Sequence, residues 1–282
     1  MDKYYEYIFK INSRDEEKII DDFINFGFNT FYIEYDVNTS EIFLRVYFKT
    51  EEQMKYITDL LSKYDLQLVS NSITEEKKWL EEWVKSLDVF EFVDGVWVNP
   101  FSNKKIKKPG LVLNIIPGSA FGTGLHPTTK LPAKLLIKIG CEGKDVLDVG
   151  TGSGILSVLA KKMWAKKVVA LDNDILAIEK AKETANLNKA NIDIRKSDFL
   201  QAIKENERFD ILISNIVAEV LIDLMNDLKF KSVLKENAFV IFSGIIQSKE
   251  ELVIKHAEKI GLSLKERMED VSWIALLFQK KN

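Results

Sequence analysis

"VLDVGTGSGIL", Val146–Leu156, runs from an apolar stretch through a glycine cluster into a second apolar stretch with helical spacing. It reads as a strand, a tight turn and a helix. Gly150, Gly152 and Gly154 are spaced G-x-G-x-G, whereas the dinucleotide fingerprint needs G-x-G-x-x-G and position 155 is Ile. Glycines still let the backbone turn sharply and approach a ligand closely. Asp148 stands just before the turn, where a carboxylate repels a diphosphate and attracts a cation. Turn and carboxylate together point to a ligand with a positive amino group. Taken alone, the turn is equally a plain strand-to-helix connection.

Downstream the alternation continues. "KVVALD" is a strand ending at Asp172, "ILAIEKAKETANLNKA" a helix, "IDIRKSD" a strand ending at Asp198, and "FDILISNI" a strand closing with Asn215. "EVLIDLMNDLKFKSVL" reads as one helix, "AFVIFSGI" as a strand and "SKEELVIKHAEKIG" as a helix; "LSLKERME" and "SWIALLFQKK" make a closing strand pair. Such alternation predicts a parallel sheet with helices on both faces, here with an antiparallel edge. Ligands of these sheets bind beyond the carboxyl ends of the strands.

Three successive strand ends therefore carry the candidate chemistry. Asp172 lies 22 residues after Gly150 and is placed to accept hydrogen bonds from two ribose hydroxyls. The alternative is a helix cap, for which Asp174 is the better candidate. Asp198 is placed for an adenine amino group, or equally for capping the next turn. Asn215 offers a carbonyl oxygen to a target amine, or caps the helix starting near Glu219.

Upstream, residues 1–73 read as β-α-β-β-α-β, the ferredoxin-like split unit. Thr50 and Gln53 stand at capping-box spacing before its second helix. Residues 1–65 hold 14 Asp and Glu against 8 Lys and Arg. An RNA-reading sheet is usually basic, with exposed aromatics next to glycines. "EIFLRVYF" has the aromatics without the glycines, so they read as sheet packing, and the acidity suits a basic protein partner or simple solubility. Residues 74–117 join the two parts through a helix with Trp79 and Trp83 on one face and a hairpin turning at Asp94-Gly95. The last domain spans 118–282.

The whole chain carries 40 Lys and Arg against 43 Asp and Glu, so it has no polybasic character, and no direct nucleic-acid binding is expected. Cys141 is the single cysteine and forms no internal disulfide. The charged start lacks the apolar core of a signal peptide, and no uncharged apolar run reaches membrane-spanning length. A cytoplasmic monomer without membrane attachment is expected.

One stretch remains. "PGSAFGTGLHPTT", Pro117–Thr129, places glycines, hydroxyls and His126 one helix before the glycine turn. Acids and glycines at successive strand ends resemble the seven-stranded S-adenosylmethionine-dependent methyltransferases. "PGSAFGTGLHPTTKL", "DVLDVGTGSGILS" and "SNIVA", with "KWLEEWVKSLDVFEFVDGVWVNP" between the domains, closely resemble the PrmA family, methyltransferases of the large-subunit ribosomal protein L11. The resemblance implies S-adenosylmethionine as cofactor. It also implies that Thr129, Gly150, Asp172 and Asn215 contact the cofactor or reaction centre, and that Phe121, Gly122 and Thr123 close over it. Gly152, Asp148 and Asp198 complete the expected cofactor set, and Asn215 is the expected catalytic group. Asn215-Ile216-Val217-Ala218 departs from the Asn/Asp-Pro-Pro-aromatic pattern of many amino-methylating members.

The family adds methyl groups to lysine side-chain amines and an N-terminal α-amine, and its small first domain recognises the substrate. The expected chemistry is in-line displacement by a neutral amine, with positioning as the main device and neither metal nor covalent nucleophile. His126 is expected to brace its turn, and His256 to lie on the surface. The competing readings are a methyltransferase of the same fold acting on another protein, an RNA or a small molecule, and a non-catalytic protein that binds the cofactor or a ribosomal protein.

Overall fold

The computed structural model describes residues 3–25, 31–36, 39, 41–48, 50–75, 89–101, 106–115, 124, 126–270 and 272–281. The chain divides into two compact units, Met1–Ser86 and Leu87–Asn282.

The first unit contains β1 (Lys3–Ile11), α1 (Ser13–Asn25), β2 (Phe31–Tyr35), β3 (Ile42–Phe48), α2 (Glu51–Leu61) and β4 (Gln67–Glu75). Its strands form one antiparallel sheet in the order β2-β3-β1-β4. Alternation sends Phe9 and Ile11 of β1 and Leu44, Val46 and Phe48 of β3 into the core, where Ile19 and Phe23 of α1 and Ile57 and Leu61 of α2 are also buried. Thr50 caps α2 by accepting from the Gln53 amide at 3.2 Å. The opposite phase of the sheet carries polar chemistry: Arg45 and Tyr47 donate to Glu6 Oε1 at 3.0 and 2.8 Å, and Arg45 also reaches Glu34 Oε2 at 2.6 Å. The aromatics of "EIFLRVYF" thus divide between core (Phe48) and this polar face (Tyr47), and part of the unit's acidity is neutralised internally. The linking segment with Trp79 and Trp83 lies outside the described residues.

The second unit begins with β5 (Phe90–Val93), β6 (Val96–Asn99) and β7 (Leu111–Asn114), a three-stranded sheet in which β5–β6 is an antiparallel hairpin turning at Asp94-Gly95 and β6–β7 is parallel. Then follow α3 (Pro127–Ile139), β8 (Asp145–Val149), α4 (Ile155–Lys162), β9 (Lys167–Asp172), α5 (Ile175–Leu187), β10 (Asp193–Lys196), β11 (Phe209–Asn215), α6 (Ala218–Asn226), α7 (Phe230–Val233), β12 (Leu234–Ile246), α8 (Glu250–Lys259), β13 (Leu262–Asp270) and β14 (Trp273–Lys280). The large sheet has seven strands in the order β10-β9-β8-β11-β12-β14-β13. Strands β8 to β12 run parallel, and β14 is antiparallel to both β12 and β13. Trp273 to Leu277 are all buried, as an interior strand requires, while β13 alternates half-buried and exposed as a rim strand should.

"EVLIDLMNDLKFKSVL" is two helices, not one. Asp227 ends α6 because its carboxylate accepts from the Lys229 and Leu200 amides at 2.8 and 3.2 Å, pulling the chain out of helical register. Among the described residues, no helix is long and apolar enough to cross a membrane.

Candidate functional site

The order β9-β8-β11 puts β8 at the point where the sheet changes direction, next to both β9 and β11. β8 ends at Val149, and the chain turns through Gly150, Gly152 and Gly154 at φ 74°, 53° and 79°. The amides of Gly150 and Thr151 donate to the Leu171 carbonyl at 2.9 and 3.0 Å, lacing the turn to the end of β9. The Gly152 amide donates to Asp172 Oδ2 at 2.9 Å, and the Asp174 amide to Asp172 Oδ1 at 3.0 Å. The cap of α5 is Asp174, which accepts from the Leu176 amide at 2.9 Å. Asp172 is therefore not the cap; it is a half-buried carboxylate braced by two backbone amides, with lone pairs left over.

Asp148 lies under the turn and is only 1% exposed. Its Oδ2 accepts from the Thr151 and Ser157 hydroxyls at 2.7 and 2.6 Å. Burial is the dominant influence on it and pushes its pKa up to about 6; the two hydroxyls oppose that shift, and neighbouring Asp172 adds to it. Ser157, nine residues after Asp148, carries no local sequence signal. Asp198, at the end of β10, is exposed and accepts from Gln201 Nε2 at 3.3 Å.

Two oxygens distinguish the site. Thr129 Oγ1 and Asn215 Oδ1 are buried and, among the described residues, have no hydrogen-bond partner. Most buried polar atoms have one, so unpaired ones mark places completed by something else. Thr129 is in the first turn of α3, which packs against the ends of the central strands: the Ser243 hydroxyl of β12 donates to the Thr128 carbonyl at 2.8 Å. Asn215 is the register partner of that same Ser243. The cap of α6 is Val217, with no side-chain bond, so Asn215 is not capping this helix.

His126 is the N-cap of α3. Its Nδ1 accepts from the Thr128 amide at 3.3 Å and lies 2.8 Å from the Thr128 hydroxyl, and its ring meets Trp273 edge-on with centroids 5.1 Å apart. Burial, with a smaller contribution from Lys130, lowers its pKa to about 4. His256 is half-buried on α8 beside Asn226 Oδ1.

Phe121, Gly122 and Thr123 lie outside the described residues. Gly124, just after them, sits at φ 88° in a space bounded by Ile155 of α4 and by Phe92 and Val98 of the small sheet; a methyl added there would lie 3.0 Å from Ile155 Cδ1. That close approach puts the end of the glycine-threonine stretch against the residue that follows the glycine turn.

The structure thus gathers Gly150, Gly152, Asp148 and Asp172 into one corner and places Thr129 and Asn215 around Ser243. Three participants escaped the sequence reading: Ser157, Ser243 and Ile216. Only Ile216 had a readable signal, through Gly244 in "FSGII", a glycine inside a strand that marks close backbone approach.

A family model described as ribosomal protein L11 methyltransferase (PrmA) matches residues 5–281. The ribosomal protein L11 methyltransferase of Thermotoga petrophila is 36% identical over 278 residues, covering 99% of each chain. That of Thermosipho africanus is 41% identical over 249 residues, covering 87% of this chain and 89% of its own. A solved structure, the ribosomal protein L11 methylase of Lactobacillus delbrueckii subsp. bulgaricus, matches with TM-score 0.63 and 30% identity, over 70% of this chain and 100% of that one. With nearly its whole length matched, the chain belongs to the ribosomal protein L11 methyltransferase (PrmA) family.

Proposed function

We propose that this protein transfers methyl groups from S-adenosylmethionine to amines of ribosomal protein L11, both lysine side chains and the N-terminal α-amine. The observation that carries the proposal is the pair of buried, unpaired oxygens, Thr129 Oγ1 and Asn215 Oδ1, at the carboxyl end of the sheet in a chain of this family.

The residues present fit the cofactor. The turn at Gly150 and Gly152 presents backbone without side chains at the strand end, Asp172 keeps free lone pairs for ribose hydroxyls, and Asp198 stands exposed at the next strand end. Thr129 adds a hydroxyl without a partner. Above its pKa of about 6, Asp148 contributes negative charge beneath the turn, which favours a cationic ligand. Phe121, Gly122 and Thr123 are proposed to complete the enclosure. The cofactor, when bound, supplies an electrophilic methyl group on a cationic sulfur.

The chain's own residues then orient and desolvate the amine. A free lysine amine titrates near 10.4 and is protonated at neutral pH, so the site has to favour the neutral form. Apolar surroundings such as Ile216 do so by penalising the ammonium. Asn215 Oδ1 accepts a hydrogen bond from the amine and directs its lone pair, and the amine's surplus proton passes to solvent. Positioning of this kind is sufficient where the leaving group is already good. The first unit is proposed to dock the basic substrate, supported by its excess of acids, with the protein acting as a cytoplasmic monomer.

The test is transfer of labelled methyl from S-adenosylmethionine to purified L11, with RNA as a competing acceptor. Label is expected in L11 alone. Asn215→Ala is expected to lower kcat about 100-fold, as loss of a positioning contact does, with cofactor affinity within about threefold of wild type. Label in RNA, or an Asn215→Ala enzyme with wild-type kcat, overturns the reading.

A further inference from the structure

Ile216 follows Asn215 directly and is held on three sides. Its amide donates to the Ser243 carbonyl at 3.2 Å. Its own carbonyl lies against Gly244: a methyl built on Gly244 would sit 2.6 Å from Ile216 O and 2.9 Å from the carbonyl carbon. Its side chain reaches across the sheet to the glycine turn. A methyl built on Gly150 would meet Ile216 Cγ2 at 2.6 Å and, among the described residues beyond its chain neighbours, no other heavy atom within 4 Å. The residue after Asn215 thus fills the places where the turn after β8 and the strand β12 each lack a side chain. Ser243 extends the connection, since its hydroxyl holds the Thr128 carbonyl beside Thr129.

We propose that Ile216 is a positioning residue for methyl transfer, a spacer whose Cγ2 methyl, seated on Gly150, fixes the distance between the cofactor turn and Asn215. The proposal rests on the methyltransferase reading of the site. Its physical basis is stiffness. A β-branched side chain has few χ1 choices, and Cγ2 is attached directly to Cβ, so the contact with Gly150 transmits to the backbone carrying Asn215 with little slack. A γ-branched side chain of the same volume carries one carbon on Cβ instead of two, so it cannot fill the Cγ1 and Cγ2 places together. Closely packed groups with no clearance pass displacements on rather than absorbing them. The two glycines differ in kind: among the described residues Gly150 faces a side-chain carbon of Ile216, whereas Gly244 faces its backbone.

The difference makes the proposal testable. Ile216→Leu conserves volume, which cores tolerate, but removes Cγ2. Ile216→Val keeps Cγ2 and removes only the terminal methyl. In the full-length protein with L11 as acceptor, Ile216→Leu is expected to lower kcat about tenfold, and Ile216→Val to recover most of that loss, with melting temperatures of the two within a few degrees. A purely structural role would move the melting temperatures and leave kcat alike. The second measurement needs no activity. Gly150→Ala is expected to weaken S-adenosylmethionine binding in calorimetry at least tenfold, and Ile216→Ala in the same chain to restore part of it by vacating the space. Ile216→Ala is expected not to relieve Gly244→Ala, where the clash is with backbone.

Equal kcat for the leucine and valine variants overturns the proposal, as does a Gly150→Ala/Ile216→Ala chain that binds no more tightly than Gly150→Ala alone. If Gly150→Ala does not fold, the leucine and valine pair decides. If the wild type transfers no methyl to L11, the functional reading fails, and the calorimetric arm still judges the contact.

Discussion

The Gly152 amide donates to Asp172 Oδ2 at 2.9 Å, so the glycine turn after β8 and the acidic end of β9 form one rigid corner. Asp172 therefore does two jobs: it braces the turn through Gly152 and Asp174, and it presents lone pairs outward. Asp172→Asn has one carbonyl oxygen for two backbone donors, so one amide loses its acceptor and the outward acceptors are diminished. Calorimetric affinity for S-adenosylmethionine is expected to fall about tenfold in Asp172→Asn and more in Asp172→Ala, in line with about 1.5–3 kcal/mol for hydrogen bonds to a charged group. Affinity within twofold of wild type in both would remove Asp172 from the site.

Thr129 makes an opposite-signed prediction. Its hydroxyl is buried at 1% exposure with no partner among the described residues, so it costs stability in the ligand-free protein. Thr129→Val has nearly the same shape without the polar atom. The variant is expected to be more stable without ligand by about 1 kcal/mol, and to bind the cofactor more weakly. Urea denaturation without ligand and calorimetry with it read the two signs separately. A valine variant that is both less stable and unchanged in binding shows that the hydroxyl serves the fold instead.

The fold was legible wherever periodicity and burial agree. The closing pair β13 and β14 was legible as an antiparallel edge, because both runs are short and bounded like strands. Asp174 was legible as the cap of α5 because capping is local. What stayed hidden depends on distant partners. The break at Asp227 is set by the Leu200 amide, 27 residues earlier. Whether Asn215 capped α6 or kept its oxygen free was undecidable from "SNIVA", since the answer lies in the backbone at Val217. Ser243 is an ordinary strand serine until β12 is placed beside α3.

Arg195 of β10 donates to both oxygens of Glu207 at 2.7 and 2.8 Å, and Lys167, at the amino end of β9, donates to Glu207 Oε1 at 2.5 Å. These hydrogen bonds, Arg195 first, hold the Glu207 carboxyl well below the usual carboxylate range. Glu207→Gln leaves a half-buried guanidinium short of its partner and is expected to destabilise the protein by about 1–3 kcal/mol, less than the 3–5 kcal/mol of a fully buried pair. The sign with pH follows: a depressed carboxylate contributes its stability above its unfolded pKa of about 4.3, and the contribution is lost as pH falls through the folded pKa. The wild-type advantage over Glu207→Gln in urea midpoints is therefore expected to be constant from pH 6 to 8 and to shrink below pH 4. Cofactor affinity at pH 7.5 is expected to be unchanged, because Glu207 lies just ahead of the amino end of β11, whereas Asn215 is at its carboxyl end.

His126 bends stability at higher pH. It is half-buried at the N-cap of α3 against Trp273, and its folded pKa of about 4 is below the ordinary 6.5. Between these values the unfolded chain binds the proton and the folded chain does not, so stability rises with pH across the window and is level above about 6.5. The full span is on the order of 3 kcal/mol, from 1.36 kcal/mol per unit. Asn is a strong N-cap without a titrating ring, so His126→Asn keeps the cap while removing the slope. Urea midpoints at pH 5.0, 6.0 and 7.5 are expected to climb more steeply in wild type than in His126→Asn, the difference between the two isolating His126 from the opposite slope of Asp148, whose raised pKa favours the protonated fold as pH falls. Parallel profiles would mean that the imidazole is solvated in the native state and that its contact with Trp273 is not closed in solution.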